Sequence, residues 1–173
     1  NTVQDSATAS ITNAKVGLDA TRVGGLVLSA VNEATVAATG KTAGNAVTGA
    51  TTATLSGGSV YSAGIAVTTR DAAVVTATST PISINLASLT ASASIATASA
   101  RNDLNRAVSA QVTGSTLNAA NGDIVVTALS DRRLSASVAS AALSDTAPLL
   151  PNFTLTVGGV YSENRVRGDV SAR

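Results

Sequence analysis

The sequence predicts an all-β fold: a parallel β-solenoid, or β-helix, built from degenerate tandem repeats of about 50 and 100 residues. Three observations predict it. The side chains are small, at about 98 Da per residue against roughly 110 Da for an ordinary globular mix. Apolar residues alternate with Ser and Thr at the strand period of two. Similar segments also recur at long spacing along the chain.

The small side chains come first. Ala, Ser and Thr make up about 46% of the 173 residues, and the aromatics are Tyr61, Tyr161 and Phe153. Val, Leu and Ile must therefore supply the core. A sphere filled mainly by Ala would be marginal at roughly 25 cal/mol per Å² buried. A thin, stacked interior with continuous backbone hydrogen bonding suits the composition better. Disorder fits less well, because disordered chains are poor in Val, Leu and Ile and often highly charged. Here the charged fraction is 12% and the net charge is +1.

The strands follow in chain order. LVLSA (26–30), VVTA (74–77) and IVVTA (124–128) are rich in β-branched residues, as strands prefer. ISINL (82–86) places Ile82, Ile84 and Leu86 on one face, against Ser83 and Asn85. Residues 88–100 continue the alternation. Residues 86–110 could also be drawn as an Ala-rich helix, but Ser and Thr are mediocre helix formers and the period is two. Turn signals fall at Thr12-Asn13, Gly24-Gly25, Thr48-Gly49, Gly57-Gly58, Thr113-Gly114, Asn121-Gly122-Asp123 and Gly158-Gly159. Pro148 and Pro151 mark a loop over 145–152, and Pro81 is the third proline.

Sliding the chain by about 100 residues lays 1–16 on 102–117. The pairs include Asn1/Asn102, Val3/Leu104, Ala9/Ala110, Ile11/Val112, Thr12/Thr113 and Val16/Leu117. After a three-residue shift, 24–30 falls on 122–128 and Val36 on Leu134. Residues 72–77 read as a third copy of the valine strand. Residues 54–62 match 154–162, which makes Tyr61 and Tyr161 equivalent. Residues 164–172 again resemble 102–110. The chain then reads as one segment, 1–173, with repeat copies of about 1–101 and 102–173, cut from a longer protein. An immunoglobulin-like sandwich would need larger inward side chains and a core aromatic. At roughly 20–25 residues per coil, a solenoid would have about seven to nine coils and rise about 35–40 Å.

The composition excludes several classes of chemistry. With no His or Cys there is no zinc site of the usual kind, no disulfide framework and no Ser-His-Asp or Cys-His unit. Nine Arg and two Lys are scattered, so no basic stripe for nucleic acid forms. No apolar run is long enough to span a membrane, and no signal peptide is visible.

The stretch 112–139 (VTGSTLNAANGDIVVTALSDRRLSASVA) carries a resemblance. Ser115-Thr116-Leu117 followed by the strand Gly122 to Ala128 is similar to the repeats of filamentous haemagglutinin-like adhesins, including the leukotoxin-type exoproteins of bacteria. Residues 11–30 look like a degraded copy, while 40–50 and 143–152 depart from the pattern as loops and 78–100 matches it poorly. The resemblance implies a right-handed β-helix, secreted and located at the bacterial cell surface. It would be the stalk of a very long extracellular adhesin exported through an outer-membrane secretion partner.

Candidate sites are few. Arg167-Gly168-Asp169 spells a tripeptide that integrins bind when it protrudes on a loop. The plainer reading is strand sequence, because 166–170 aligns with 104–108. Asn121-Gly122-Asp123 reads as a tight turn, since a calcium solenoid would repeat its Gly and Asp in register. Asp131 with Arg132 or Arg133 reads as an exposed ion pair of small value. The ten carboxylates are single and spread, with no His base and no aromatic platform for a sugar. The Gly pairs lack the Lys-Ser/Thr of a phosphate loop, and the Thr pairs lack a rung-by-rung Thr-x-Thr repeat.

The expected function is therefore a structural stalk or rod segment of an adhesin, without catalysis, cofactor or metal. Its alternatives are a segment that stacks end to end into an extracellular filament and a carbohydrate-binding or carbohydrate-active β-helix. Expected partners are neighbouring repeats of the same chain or a homo-polymer, and a host-cell or matrix receptor or glycan.

Overall fold

In the computed structural model, residues 1–80, 82–86, 91–139, 141–145 and 153–173 are described. Side chains are described throughout these ranges except for 82–86, 91–96, 141–145 and 153–158. Among the described residues the regular structure is all β, and every paired strand is parallel to its neighbour. The strand expectation holds, and the helix drawn over 86–110 does not form among the described residues.

The chain visits three stacked sheets in a fixed order. The first pass runs β1 (Thr2–Gln4), β2 (Ala7–Thr12), β3 (Lys15–Val16) and β4 (Leu26–Gly40). The second runs β5 (Thr42–Ser56), β6 (Ser59–Ser62) and β7 (Ile65–Ser79). The third runs β8 (Ile82–Leu86), β9 (Ala91–Thr113), β10 (Thr116–Ala119) and β11 (Ile124–Val138). The fourth runs β12 (Ala141–Asp145), β13 (Phe153–Arg167) and β14 (Val170–Ala172). Strands β1, β2, β5, β9, β13 and β14 form the first sheet, β3, β6 and β10 the second, and β4, β7 and β11 the third. Strands β8 and β12 pair separately, and the second pass has no counterpart to them.

The registers turn the sequence pattern into columns. Val3, Val47, Leu104 and Val166 stack, so successive passes are separated by 44, 57 and 62 residues. The column Leu26, Ile65, Ile124 steps by 39 and 59. A pass is thus about twice the expected 20–25 residues, because the two large sheets use 15-residue strands. Four strands at ~4.8 Å spacing advance about 14 Å, less than the expected 35–40 Å.

Alternation buries one side of the strands within the stack. Along β7, Ile65, Val67, Asp71, Ala73, Val75, Ala77 and Ser79 point inward and are buried. The three sheets share one interior: Ala53, Leu55 and Ala110 of the first meet Val60 of the second and Leu28, Ala30, Ile65 and Val67 of the third. A second cluster joins Val47 and Leu104 to Val36, Ala73 and Val75, and a third joins Ala43, Ala77 and Ala100. Fully burying each Val, Leu or Ile contributes roughly 1.5–3 kcal/mol. The Ala layer lets the facing sheets approach closely, where larger side chains would hold them apart.

The alignments made at about 100 residues (Asn1/Asn102 through Val16/Leu117, Leu26/Ile124, Val36/Leu134) are true columns, with a copy from the second pass between each pair. Four expectations change. Tyr61 lies in β6 opposite Asn118, whereas Tyr161 lies in β13 opposite Ser99, so the two tyrosines are not equivalent. Residues 72–77 stack on 33–38 and 131–136, and the counterpart of 26–30 is 65–69. The loop expected over 40–50 is mostly strand β5, held by ladders on both sides. Gly57 and Gly58 turn with φ of +65° and +78°, but Gly158-Gly159 continues β13. Pro81, Pro148 and Pro151, the loop beyond Asp145 and the facing of Ile82, Ile84 and Leu86 lie outside the described residues and side chains.

Candidate functional site

Two polar constellations stand out, one inside and one outside. The interior one begins with an asparagine column. Asn45, Asn102 and Asn164 sit on consecutive strands of the first sheet, and Asn1 stands in register with them just before β1. Asn1 Nδ2 donates to Asn45 Oδ1 (3.0 Å), Asn45 Nδ2 to Asn102 Oδ1 (2.9 Å), and Asn102 Nδ2 to Asn164 Oδ1 (2.9 Å). The amides of Asn1, Asn45 and Asn102 also donate across to the third sheet, reaching the carbonyls of Ala37 (2.7 Å), Thr76 (2.8 Å) and Ser135 (2.8 Å). Those three carbonyls form a column themselves. The ladder therefore ties pass to pass and sheet to sheet, and Asn102 is fully buried within it.

Two inward positions further along, the interior holds charge. Arg106 and Asp71 are both completely buried. Arg106 Nη2 lies 2.9 Å from Asp71 Oδ1, without the alignment of a hydrogen bond. Arg132 Nε donates to Asp71 Oδ2 at 3.0 Å, and Arg132 Nη2 donates to the Arg106 carbonyl at 2.6 Å. Asp5 lies 3.9 Å from Arg106 Nη2. Of the two arginines expected to pair with Asp131 at the surface, Arg133 does so, 3.7 Å away and exposed, whereas inward parity aims Arg132 at Asp71. Asp5 faces Gly49, which has φ +150° and whose absent Cβ would strike the Asp5 carbonyl oxygen.

The outer constellation lies on the first sheet over the third and fourth passes. Ser99, Arg101, Asp103 and Asn105 of β9 stand beside Tyr161, Glu163, Arg165 and Arg167 of β13. The Tyr161 hydroxyl donates to Glu163 Oε2 at 2.7 Å. Arg165 Nη2 donates to Glu163 Oε1 at 2.8 Å, and Arg101 Nε lies 3.2 Å from Glu163 Oε2. Arg167 Nη2 grips both oxygens of Asp103, at 2.7 and 2.8 Å. The hydrogen bond from Tyr161, reinforced by Arg165 and Arg101, holds the Glu163 carboxyl below its usual range. The hydrogen bond from Arg167, then its charge and those of Arg165 and Arg101, lower Asp103. The hydrogen bond to Glu163 raises the Tyr161 phenol.

Of the sequence candidates, Arg167, Gly168 and Asp169 span the step from β13 to β14. Arg167 is engaged with Asp103. Gly168 has φ +111°, and a Cβ there would strike the Arg106 carbonyl. The Asp169 carbonyl accepts from Val108 N–H at 2.8 Å. The tripeptide is exposed, and its backbone lies hydrogen-bonded along the sheet. Asn121 to Asp123 form the bend before β11, and the Asp123 carbonyl accepts from Ile65 N–H.

Arg106, Asp71 and the Tyr161 patch were missed in the sequence. Parity would have found the first two: Arg106 alternates with Leu104 and Val108, and Asp71 with Thr69 and Ala73. The exposed Tyr161 ring also answers the expectation that no aromatic platform exists. No protein-family model, curated protein or solved structure matches the chain.

Proposed function

We propose that the chain is a segment of a right-handed parallel β-solenoid that serves as the stalk of a large bacterial adhesin, secreted and held at the cell surface. It would perform no catalysis and act by extending the molecule. The observation that carries this reading is the repeated passage through three parallel sheets with an asparagine column threading four passes. Such a structure grows by adding passes, because each pass makes its contacts with its immediate neighbours. In this reading a repeat is one pass, and the unit of about 100 residues is two passes. Two experiments test it. Antibody raised against the segment should label intact, unpermeabilised cells, and negatively stained images of the parent molecule should show a thin rod. Labelling confined to permeabilised cells, or a compact parent particle, would contradict the proposal.

A second reading, end-to-end stacking into an extracellular filament, is favoured by the edges of β4 and β11, each of which pairs with β7 alone among the described residues. Sedimentation that remains monomeric at high concentration would exclude it.

A further inference from the structure

The patch around Tyr161 combines three features. Its ring is 54% exposed, whereas Tyr61 is half-buried with the Arg22 guanidinium 5.9 Å above its ring. Its charged groups are mixed: Arg101, Arg165 and Arg167 interleave with Asp103 and Glu163, leaving one positive charge in excess. It is also hollowed. On the second pass, Gly44 stands beside Arg101 and Ala46 beside Asp103, so the neighbouring strand offers almost no side chain there. The hollow this leaves, bounded by Asn1, Gly44, Ala46, Arg101 and Asp103, has a volume of about 330 Å³. A second, of about 370 Å³, lies at the Tyr161 end between Thr42, Ser99 and Gly159. From the Ser99 column to the Asp103 column is four residues, or about 13 Å along the strand.

We infer that this strip binds an unsulfated, carboxylate-bearing oligosaccharide, with one sugar ring stacked on Tyr161 and the chain lying along β9 and β13; the dense sulfates of a sulfated chain would meet Glu163 and Asp103. An exposed aromatic face beside fixed polar groups is the arrangement that recognises a pyranose, whose C–H face is apolar and whose edge is hydroxylated. Glu163 and Asp103, held ionised by their arginines, accept from sugar hydroxyls. Arg101 and Arg165, each about half exposed, keep N–H groups free to meet a uronate carboxylate. The mixed signs select against nucleic acid, whose phosphates would meet Glu163 and Asp103 at close range. A neutral glycan would leave the excess positive charge unanswered. This inference stands apart from the stalk proposal, since a ligand strip fits a rod or a shorter particle equally well.

The test is an NMR titration of the intact chain with three hexasaccharides: an oligogalacturonate, a heparin-derived chain and the neutral cellohexaose. The oligogalacturonate should bind most tightly and shift the amides of Thr42, Gly44, Ser99 to Asp103 and Tyr161 to Arg165. Tyr161→Ala and Arg165→Gln should each weaken it by about ten-fold. Arg70→Gln, which removes the same charge from the third sheet, should leave binding unchanged. The amide spectra of the free variants show whether the fold persists, and Tyr161→Phe, which keeps the ring, should retain most of the affinity. No binding by any of the three chains, preferential binding of heparin or cellohexaose, or binding insensitive to Tyr161→Ala in a folded variant would overturn the inference.

Discussion

Replacing Asp71 with Ala removes the carboxylate that two inward arginines share. Arg106 is fully buried, and its remaining acidic neighbour, Asp5, is 3.9 Å away. Arg132 keeps its 2.6 Å hydrogen bond to the Arg106 carbonyl but loses its anion. Removing one partner of a buried pair costs about 3–5 kcal/mol, because the survivor is left as an uncompensated charge. At about 2–4 °C per kcal/mol for a chain of this size, the melting midpoint should fall by about 6–20 °C. Arg106→Met should cost less, since Asp71 retains the 3.0 Å bond from Arg132 and the methionine fills much of the space. The double variant Asp71→Ala/Arg106→Met should recover part of the loss, since only Arg132 is then left without its anion, giving a favourable coupling in the double-mutant cycle. Thermal melts followed by far-UV circular dichroism read all three. Single and double variants that simply add, or an Asp71→Ala loss below about 1 kcal/mol, would refute the claim that this network is a mutually dependent buried unit.

Four further outcomes follow from the geometry. Asn102→Ala should destabilise by about 1–3 kcal/mol, measured by urea unfolding, because it leaves the Asn45 amide and the Ser135 carbonyl without their partner. Gly49→Ala should destabilise by at least about 1–3 kcal/mol, since its Cβ would meet the Asp5 carbonyl at φ +150°. Gly44→Ala, which meets open space, should be neutral or slightly stabilising. Arg167→Ala should raise the Asp103 pKa toward the ordinary carboxylate value, followed by NMR titration of its side-chain carbonyl carbon. The sign is that of a depressed acid: its contribution is complete above the unfolded pKa and is lost as pH falls through the folded value. The variant should flatten that acid limb of the stability profile, and an unmoved pKa would contradict the Arg167 assignment.

Much of the fold was legible because strand parity and register are written in the same residues. Val3 and Leu104, or Ile11 and Val112, share a column in the structure as they do in the alignment. The intervening copy left only a weak repeat of about 50 residues without a residue-by-residue match, because Asn45 to Val60 preserves the spacing Asn-x-Val but replaces most of the other residues, and Gly44 and Gly49 suggested a loop. The tyrosine match misled for the opposite reason. Residues 54–62 and 154–162 are alike in composition, yet parallel ladders place them in different sheets. The interior charges were illegible to an approach that assigns charges to the surface. Arg106 is buried because its position alternates with Leu104 and Val108, and the ladders on both sides fix that parity. The outer strip depends on β9 and β13 lying side by side, a register that the likeness of 164–172 to 102–110 carries, since Asn164 and Val166 stack on Asn102 and Leu104; the sequence did not show that the polar residues just before it share one face.

The central claim is that consecutive passes, and not alternate ones, lie against each other in parallel register. Methyl-labelled NMR tests it through the column Val3, Val47, Leu104 and Val166. Through-space contacts should run Val3 to Val47, Val47 to Leu104 and Leu104 to Val166, with Val3 and Leu104 separated by a full strand. A direct Val3 to Leu104 contact with Val47 elsewhere, as a spatial repeat of about 100 residues would require, would contradict the account.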